Sequence, residues 1–407
     1  MSFAGCSNDE DGIVIDMLPK TRAVELTQEQ KLFVNQNNEF ALTLFKAISK
    51  DEAEVKSMIV SPLSTTCLLG LLNNGAAGKT AEEIITTLGF GDKQSVNEFC
   101  KTILEQSPEA DPSVTLMTAN CVAVNERLNI ELKEQFVEDV ADYYKGEVMK
   151  LDFSSNSALK AVNDWSSEHT EGMIPRLMDE LNEDAALMLM NAISFKATWT
   201  EKFDERATRT ETFTREDGTT QSVQMMHRKA VARVGEESDF YTLLLPYGSG
   251  DKWSMTVFLP KEGKTVRDVV NSIDMSKWQP YCYGSAAPAL VDIKLPKFEG
   301  SYKADLKKAL KKLGVASVFD EYKADLSLIC KSRKLHVAKM EQTAAIEVNE
   351  EGTKASAVTV AELGDSMSAG GSEGGRDMYF HADTPFVYMI REASSGVIFF
   401  IGTYQGE

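Results

Sequence analysis

Apolar residues recur at helical spacing over 28–49, where Phe33, Phe40, Ala41, Leu44, Phe45 and Ile48 share one face. Met58-Ile59-Val60 is a short strand-like run, and Ser61-Pro62 after it are the residue types of a helix cap and first helical position. The spacing predicts a helix over 63–72 that stops at Asn73-Asn74-Gly75, then one opened at Thr80 by a capping box with Glu83. Further helices are predicted over 130–144, 158–169 and 303–313. Strand-like runs fall at 187–195, 241–245, 253–259, 291–295, 335–348 and 397–403. Helices lead in the first half and strands in the second, which is the order of an α+β domain rather than of alternating βαβ units. No Pro/Gly/Ser linker and no internal repeat divides the body, so 28–407 reads as one domain behind an N-terminal tether, 1–27.

Composition narrows the function classes. The 407 residues are 43% hydrophobic and 26% charged, with a formal charge of −19, a field that repels phosphate backbones and argues against general nucleic-acid binding. No apolar run is long enough to span a bilayer, and the six cysteines form no C-x-x-C pair. Ala4-Gly5-Cys6 resembles the cleavage site of a bacterial lipoprotein, and the acidic stretch after it resembles a surface-export tag. On that reading Cys6 carries a lipid, the only membrane contact, and the protein works outside the cell or on its surface, as an outer-membrane lipoprotein would. The alternative is a free cysteine on a frayed terminus.

Candidate chemistry is sparse. Gly75-Ala76-Ala77-Gly78-Lys79-Thr80 ends like a phosphate-binding loop, but residue 73 is Asn73 where the first glycine is needed. His169, His227, His336 and His381 have no metal-ligand spacing, and there is no G-x-S-x-G elbow. Lys303, Lys307, Lys308, Lys311 and Lys312 read as a solvated basic helix face. The expectation is therefore no enzyme, no metal and no cofactor.

One stretch stands apart. After a strand-like run at 344–348, residues 350–363 read Glu350-Glu351-Gly352-Thr353-Lys354-Ala355-Ser356-Ala357-Val358-Thr359-Val360-Ala361-Glu362-Leu363, followed by a Gly/Ser-rich tract at 366–375. On a strand, Thr353, Ala355, Ala357, Thr359, Ala361 and Leu363 would share a small, uncharged face, with both charges, Lys354 and Glu362, on the other. Such a segment suits the edge of a core and also suits an exposed loop. It can be an ordinary strand with a loop behind it, or a strand that slides into a sheet.

The same residues resemble the hinge of inhibitory serpins, and the resemblance runs from about Gln28 to Thr403. Phe380-His381-Ala382-Asp383-Thr384-Pro385-Phe386 is similar to the family signature, with Phe380, Asp383, Pro385 and Phe386 matching and Thr384 departing. Ser61-Pro62-Leu63-Ser64, Asn74-Gly75-Ala76, Asn163-Asp164-Trp165, Asn191-Ala192 and Ala324-Asp325-Leu326-Ser327 match further blocks in order. The resemblance implies three β-sheets with about nine helices, a central sheet, and a reactive-centre loop at about 350–379. It places Ser61, Ser64 and Asn191 where that sheet parts and Trp199 near the point of insertion. Gln342 stands where many relatives have a histidine, and its amide does not titrate.

By resemblance the protein is a suicide-substrate inhibitor of serine or cysteine endopeptidases, a monomer that forms a covalent acyl-enzyme with its target. Serpin loop insertion is itself the established instance of strand addition with release of strain. About fourteen inserted residues would make a strand of roughly 46 Å. Family spacing puts the cut about sixteen residues beyond the first hinge glutamate, at Ser366–Met367, whereas an apolar protease pocket prefers Met367–Ser368. The targets implied are elastase-, chymotrypsin- or subtilisin-like. The other reading is a non-inhibitory serpin that binds or carries a ligand.

Overall fold

A computed structural model describes residues 20–52, 56–250, 252–283, 288–353 and 378–406. The first helix, Gln28–Asp51, is opened by a full capping box in which Thr27 Oγ1 accepts from the Gln30 amide at 3.1 Å and Gln30 Oε1 accepts from the Thr27 amide at 3.0 Å. Its predicted apolar face is buried. Ser61 caps the next helix, Pro62–Gly75, and every residue of that helix is buried. It runs through the Asn73-Asn74-Gly75 stop that the sequence suggested. Asn74 Nδ2 donates to the Gly70 carbonyl at 3.1 Å and to Asn97 Oδ1 at 2.9 Å, so a residue that usually breaks helices is satisfied inside the core.

Four predicted boundaries move. The third helix is Gly78–Leu88 and begins at Ala77 without a side-chain cap. Thr80 instead accepts from the Asp325 amide, and Glu83 takes the amides of Ala316 and Ser317, so the apparent capping box ties two loops to the helix. The helix expected from 303 begins only at Leu306, because 298–305 is a strand, Phe298–Asp305, whose last residue caps Leu306–Leu313. The basic face is then largely engaged: Lys303 pairs with Glu341, and Lys308 and Lys312 with Asp51. The strand expected over 335–348 is limited to Glu341–Val348, and the helix expected from 130 is Glu134–Tyr144.

The described residues hold nine α-helices and three sheets. One six-stranded antiparallel sheet has the order Met58–Val60, Ile398–Tyr404, Phe386–Glu392, Trp253–Pro260, Phe240–Tyr247, Val234–Glu236. A four-stranded sheet runs Met378–His381, Ala289–Pro296, Thr220–Ala232, Arg209–Thr214. The central sheet runs Phe298–Asp305, Glu341–Val348, Gly352–Thr353, Leu187–Thr198, Val114–Asn125, Gly146–Leu151. One face of the central sheet, with Val122, Ile193 and Phe195, joins the main core. The other, with Cys121, Ala123, Met190 and Ala192, packs with Val162 and Trp165 of the Asn156–His169 helix.

Candidate functional site

Among the described residues the central sheet is open in its middle. Leu187–Thr198 is laddered along its far side to Val114–Asn125, and Glu341–Val348 along its far side to Phe298–Asp305. Among the described residues these two inner strands share no register with each other. They are joined through Gly352–Thr353, wedged between them at one end: Thr353 pairs with Val348 on one side and Ala197 on the other, and Gly352 with Thr198.

A tight turn sets that wedge. The Asn349 amide donates to the Gly352 carbonyl at 2.9 Å, and Asn349 Oδ1 accepts from the amides of Glu351 and Gly352. Gly352 has φ +155° and lies so close to the neighbouring strand that a Cβ there would sit 2.0 Å from the Ala197 carbonyl oxygen. The turn's carbonyls are held as well: Glu351 accepts from the Trp199 amide at 2.8 Å and Glu350 from the Phe203 amide at 3.0 Å.

Side chains lock the same place. Thr353 is 1% exposed, and its hydroxyl shares a 2.6 Å hydrogen bond with Tyr247 Oη. Tyr247 stacks on Trp199 at 4.4 Å, and Trp199 Nε1 donates to the Asn349 carbonyl at 2.9 Å. Burial pushes the Tyr247 phenol up, against the lowering effect of the Thr353 bond, so it remains a neutral hydroxyl. Glu350 is 5% exposed; Lys297 Nζ lies 2.9 Å from it and Thr208 Oγ1 donates at 2.8 Å. Burial alone would raise its pKa, but the Lys297 and backbone bonds and the Thr208 hydroxyl outweigh that and hold it below the usual value. Glu351, on the outer side, pairs with Lys202.

Lower down, the start of the Pro62–Gly75 helix touches both lips of the opening. Ser64 Oγ donates to Asn191 Oδ1, and Asn191 Nδ2 donates to Asn120 Oδ1 at 2.9 Å. On the opposite lip Gln342 Oε1 accepts from the Ser61 amide and its Nε2 donates to the Ser61 carbonyl, both at 2.8 Å. The lips are thus held to a fixed helix by neutral side-chain bonds, which detach without stripping a charge.

The structure brings Glu350, Glu351, Gly352, Thr353 and Trp199 together at the wedge, and Ser61, Ser64, Asn191 and Gln342 at the clasp. Phe380 lies in the edge strand Met378–His381, parallel to Ala289–Pro296. The exposed Asp383 accepts the Thr214 amide through its carbonyl, Pro385 is buried, and Phe386 packs against Phe298 and Tyr404. Cys6, Ala355, Ala357, Thr359, Ser366, Met367 and Ser368 lie outside the described residues. Sequence reasoning missed Tyr247, Lys297, Thr208 and Lys202. Each lies far from the hinge in sequence, and no local pattern marks it.

A family model described as Serpin (serine protease inhibitor) matches residues 35–405. The chain belongs to the serpin family. It is 31% identical to Serpin B9 of Homo sapiens, over 91% of this chain and 98% of that protein. It is also 31% identical to Serpin-Z2A of Triticum aestivum, over 93% and 98%. Among solved structures, Serpin48 of the insect Tenebrio molitor superposes with a TM-score of 0.79 at 30% identity, covering 94% of this serpin and all (100%) of that chain. Human thyroxine-binding globulin shares the fold at a TM-score of 0.83 and 24% identity, covering 93% and 100%. Most of the family's similar members are protease inhibitors, and some, such as that globulin, are not.

Proposed function

We propose that this serpin is a suicide-substrate inhibitor of serine endopeptidases with an apolar primary pocket. The observation that carries the reading is that, among the described residues, the central sheet is open beyond Gly352 and Thr353, which are already seated between its inner strands. A target protease attacks the carbonyl of the bait bond with its own serine oxygen. The bond to the downstream amine breaks, that amine takes a proton from the protease's own general base, and an acyl-enzyme remains. The segment behind Thr353, freed at one end, then extends the wedge along both lips and carries the acylated protease with it. Roughly a dozen new ladder bonds at about 0.5–1.5 kcal/mol each would rival the stability of a whole domain, about 5–15 kcal/mol. That is enough to distort the protease before water completes hydrolysis. Met367 is the favoured recognised side chain, since its flexible thioether fills an apolar cleft better than Ser366 does.

Incubation with chymotrypsin, elastase and subtilisin tests the proposal. The expected result is a complex that survives SDS, with the released fragment beginning at Ser368. Cleavage by all three without a complex would overturn it in favour of a carrier.

A further inference from the structure

Many cations of this acidic serpin, whose formal charge is −19, are engaged by carboxylates, as in Lys297–Glu350, Lys303–Glu341 and Lys308–Asp51. Four depart from that pattern in one place. Lys133, Lys331, Arg333 and Lys334 line an open cleft of about 480 Å³, together with Ser327 and Ser332. Among the described residues, none of the four has a carboxylate within 4.0 Å. Asp325 feels Lys133 only at longer range and gives its carboxylate to Ser327. Glu131 and Glu134 adjoin Lys133 in sequence, are exposed, and pair with none of the four. The run 331–340 holds Lys331, Arg333, Lys334, His336 and Lys339 and no acid.

The backbone holds these charges together. Cys330 bridges to Leu132, the Lys133 amide donates to the Ile329 carbonyl at 2.8 Å, and the Leu328 amide donates to Gly75 at 3.1 Å. The start of the Glu134–Tyr144 helix and the 327–334 segment are therefore fixed as the two walls of the cleft. Cations gathered along one cleft without counter-charge repel one another, and a bound anion relieves that repulsion. Arginine and lysine beside serine hydroxyls make the donor set of phosphate recognition, with the guanidinium able to bind two oxygens at once.

We propose that this cleft binds a compact polyphosphorylated anion. Lys331, Ser332, Arg333 and Lys334 are exposed along the open cleft, so an anion would be held there by charge rather than by enclosure. The acidic remainder of the surface repels the tails of an extended polyanion, which favours a compact one. The assignment is independent of the inhibitory reading, because its test reads binding alone.

Calorimetric titration of the full chain with sodium tripolyphosphate is the experiment. One-to-one binding is expected, weakening as ionic strength rises from about 0.01 to 0.15 M and the Debye length falls from about 30 to 8 Å. The triple variant Lys331→Ala, Arg333→Ala, Lys334→Ala should bind about tenfold more weakly, and Lys133→Ala, from the opposite wall, about threefold. Removing the same charge elsewhere, with Lys31→Ala, Lys150→Ala and Arg267→Ala, should leave affinity unchanged; circular dichroism confirms that each variant folds. The proposal is overturned if the wild type takes up no tripolyphosphate, if the control variant loses as much as the cleft variants, or if only long sulfated polysaccharides bind.

Discussion

The two six-stranded sheets are built from the same kind of element and put to opposite uses. In the first, Phe386–Glu392 and Ile398–Tyr404 are buried at every position, and Phe386–Glu392 is laddered on both sides. Phe386, Tyr388, Phe298 and Tyr404 interlock across its core. Each of its strands is laddered to the next in the order, so no gap is left between them. In the central sheet, Leu187–Thr198 is only half buried over much of its length, and among the described residues its inner edge is laddered at one end alone. Bulky, paired strands make a permanent structure. Small hinge residues and neutral clasps suit a place for one more strand, and on the proposed reading stability is withheld rather than missing.

The largest effect expected from that contrast is on cleavage of the loop. Filling the opening with roughly a dozen ladder bonds should raise the melting temperature by roughly 10–20 °C. Calorimetry on intact and clipped protein measures it, and an unchanged transition would mean that both sheets are equally complete. Next in size, Thr353→Arg puts a charge where the native side chain is 1% exposed against Tyr247. The SDS-stable complex should fall by about tenfold or more while cleavage persists, read on the same gel.

Glu350→Gln removes a buried carboxylate from Lys297 and should cost about 1–3 kcal/mol. The lower part of that range is expected, because the Lys297 side chain is 41% exposed and solvent screens the pair. The folded-state pKa of Glu350 lies below its ordinary value of 4.5. Its contribution is therefore complete above that value and is lost as pH falls through the lower, folded one. The gap in melting temperature between wild type and variant should narrow on acidification, and a gap that widened would contradict the ion pair. Smallest, Tyr247→Phe loses one hydrogen bond worth about 0.5–1.5 kcal/mol. Hydrogen exchange at the amides around Thr353 should quicken about fivefold, with little change in the fully paired sheet.

Much of this was legible in the chain, and the parts that were not share a cause. The Ser61-Pro62 cap and the first helix carry their reasons locally, and the hinge glycine is marked by its residue type. Gly352 is demanded by a close backbone approach, and the small residues beside it stand out in any reading. Asn74 misled because a tertiary bond to Asn97 satisfies it, and Thr80 and Glu83 misled because their partners are loop amides more than two hundred residues away. Lys297, Thr208 and Tyr247 gather at the hinge only after three sheets have folded. Alternation along one strand carries no trace of them.

The strand Met378–His381 gives the molecule its arrow of time. It lies at the edge of the four-stranded sheet, hydrogen-bonded in parallel to Ala289–Pro296, whereas the wedge begins in a different sheet beside Ala197. On the proposed reading, a severed bait leaves one stump moored here while the other travels away. The ends can no longer meet to reseal, so each molecule works once and supply must match the number of proteases met.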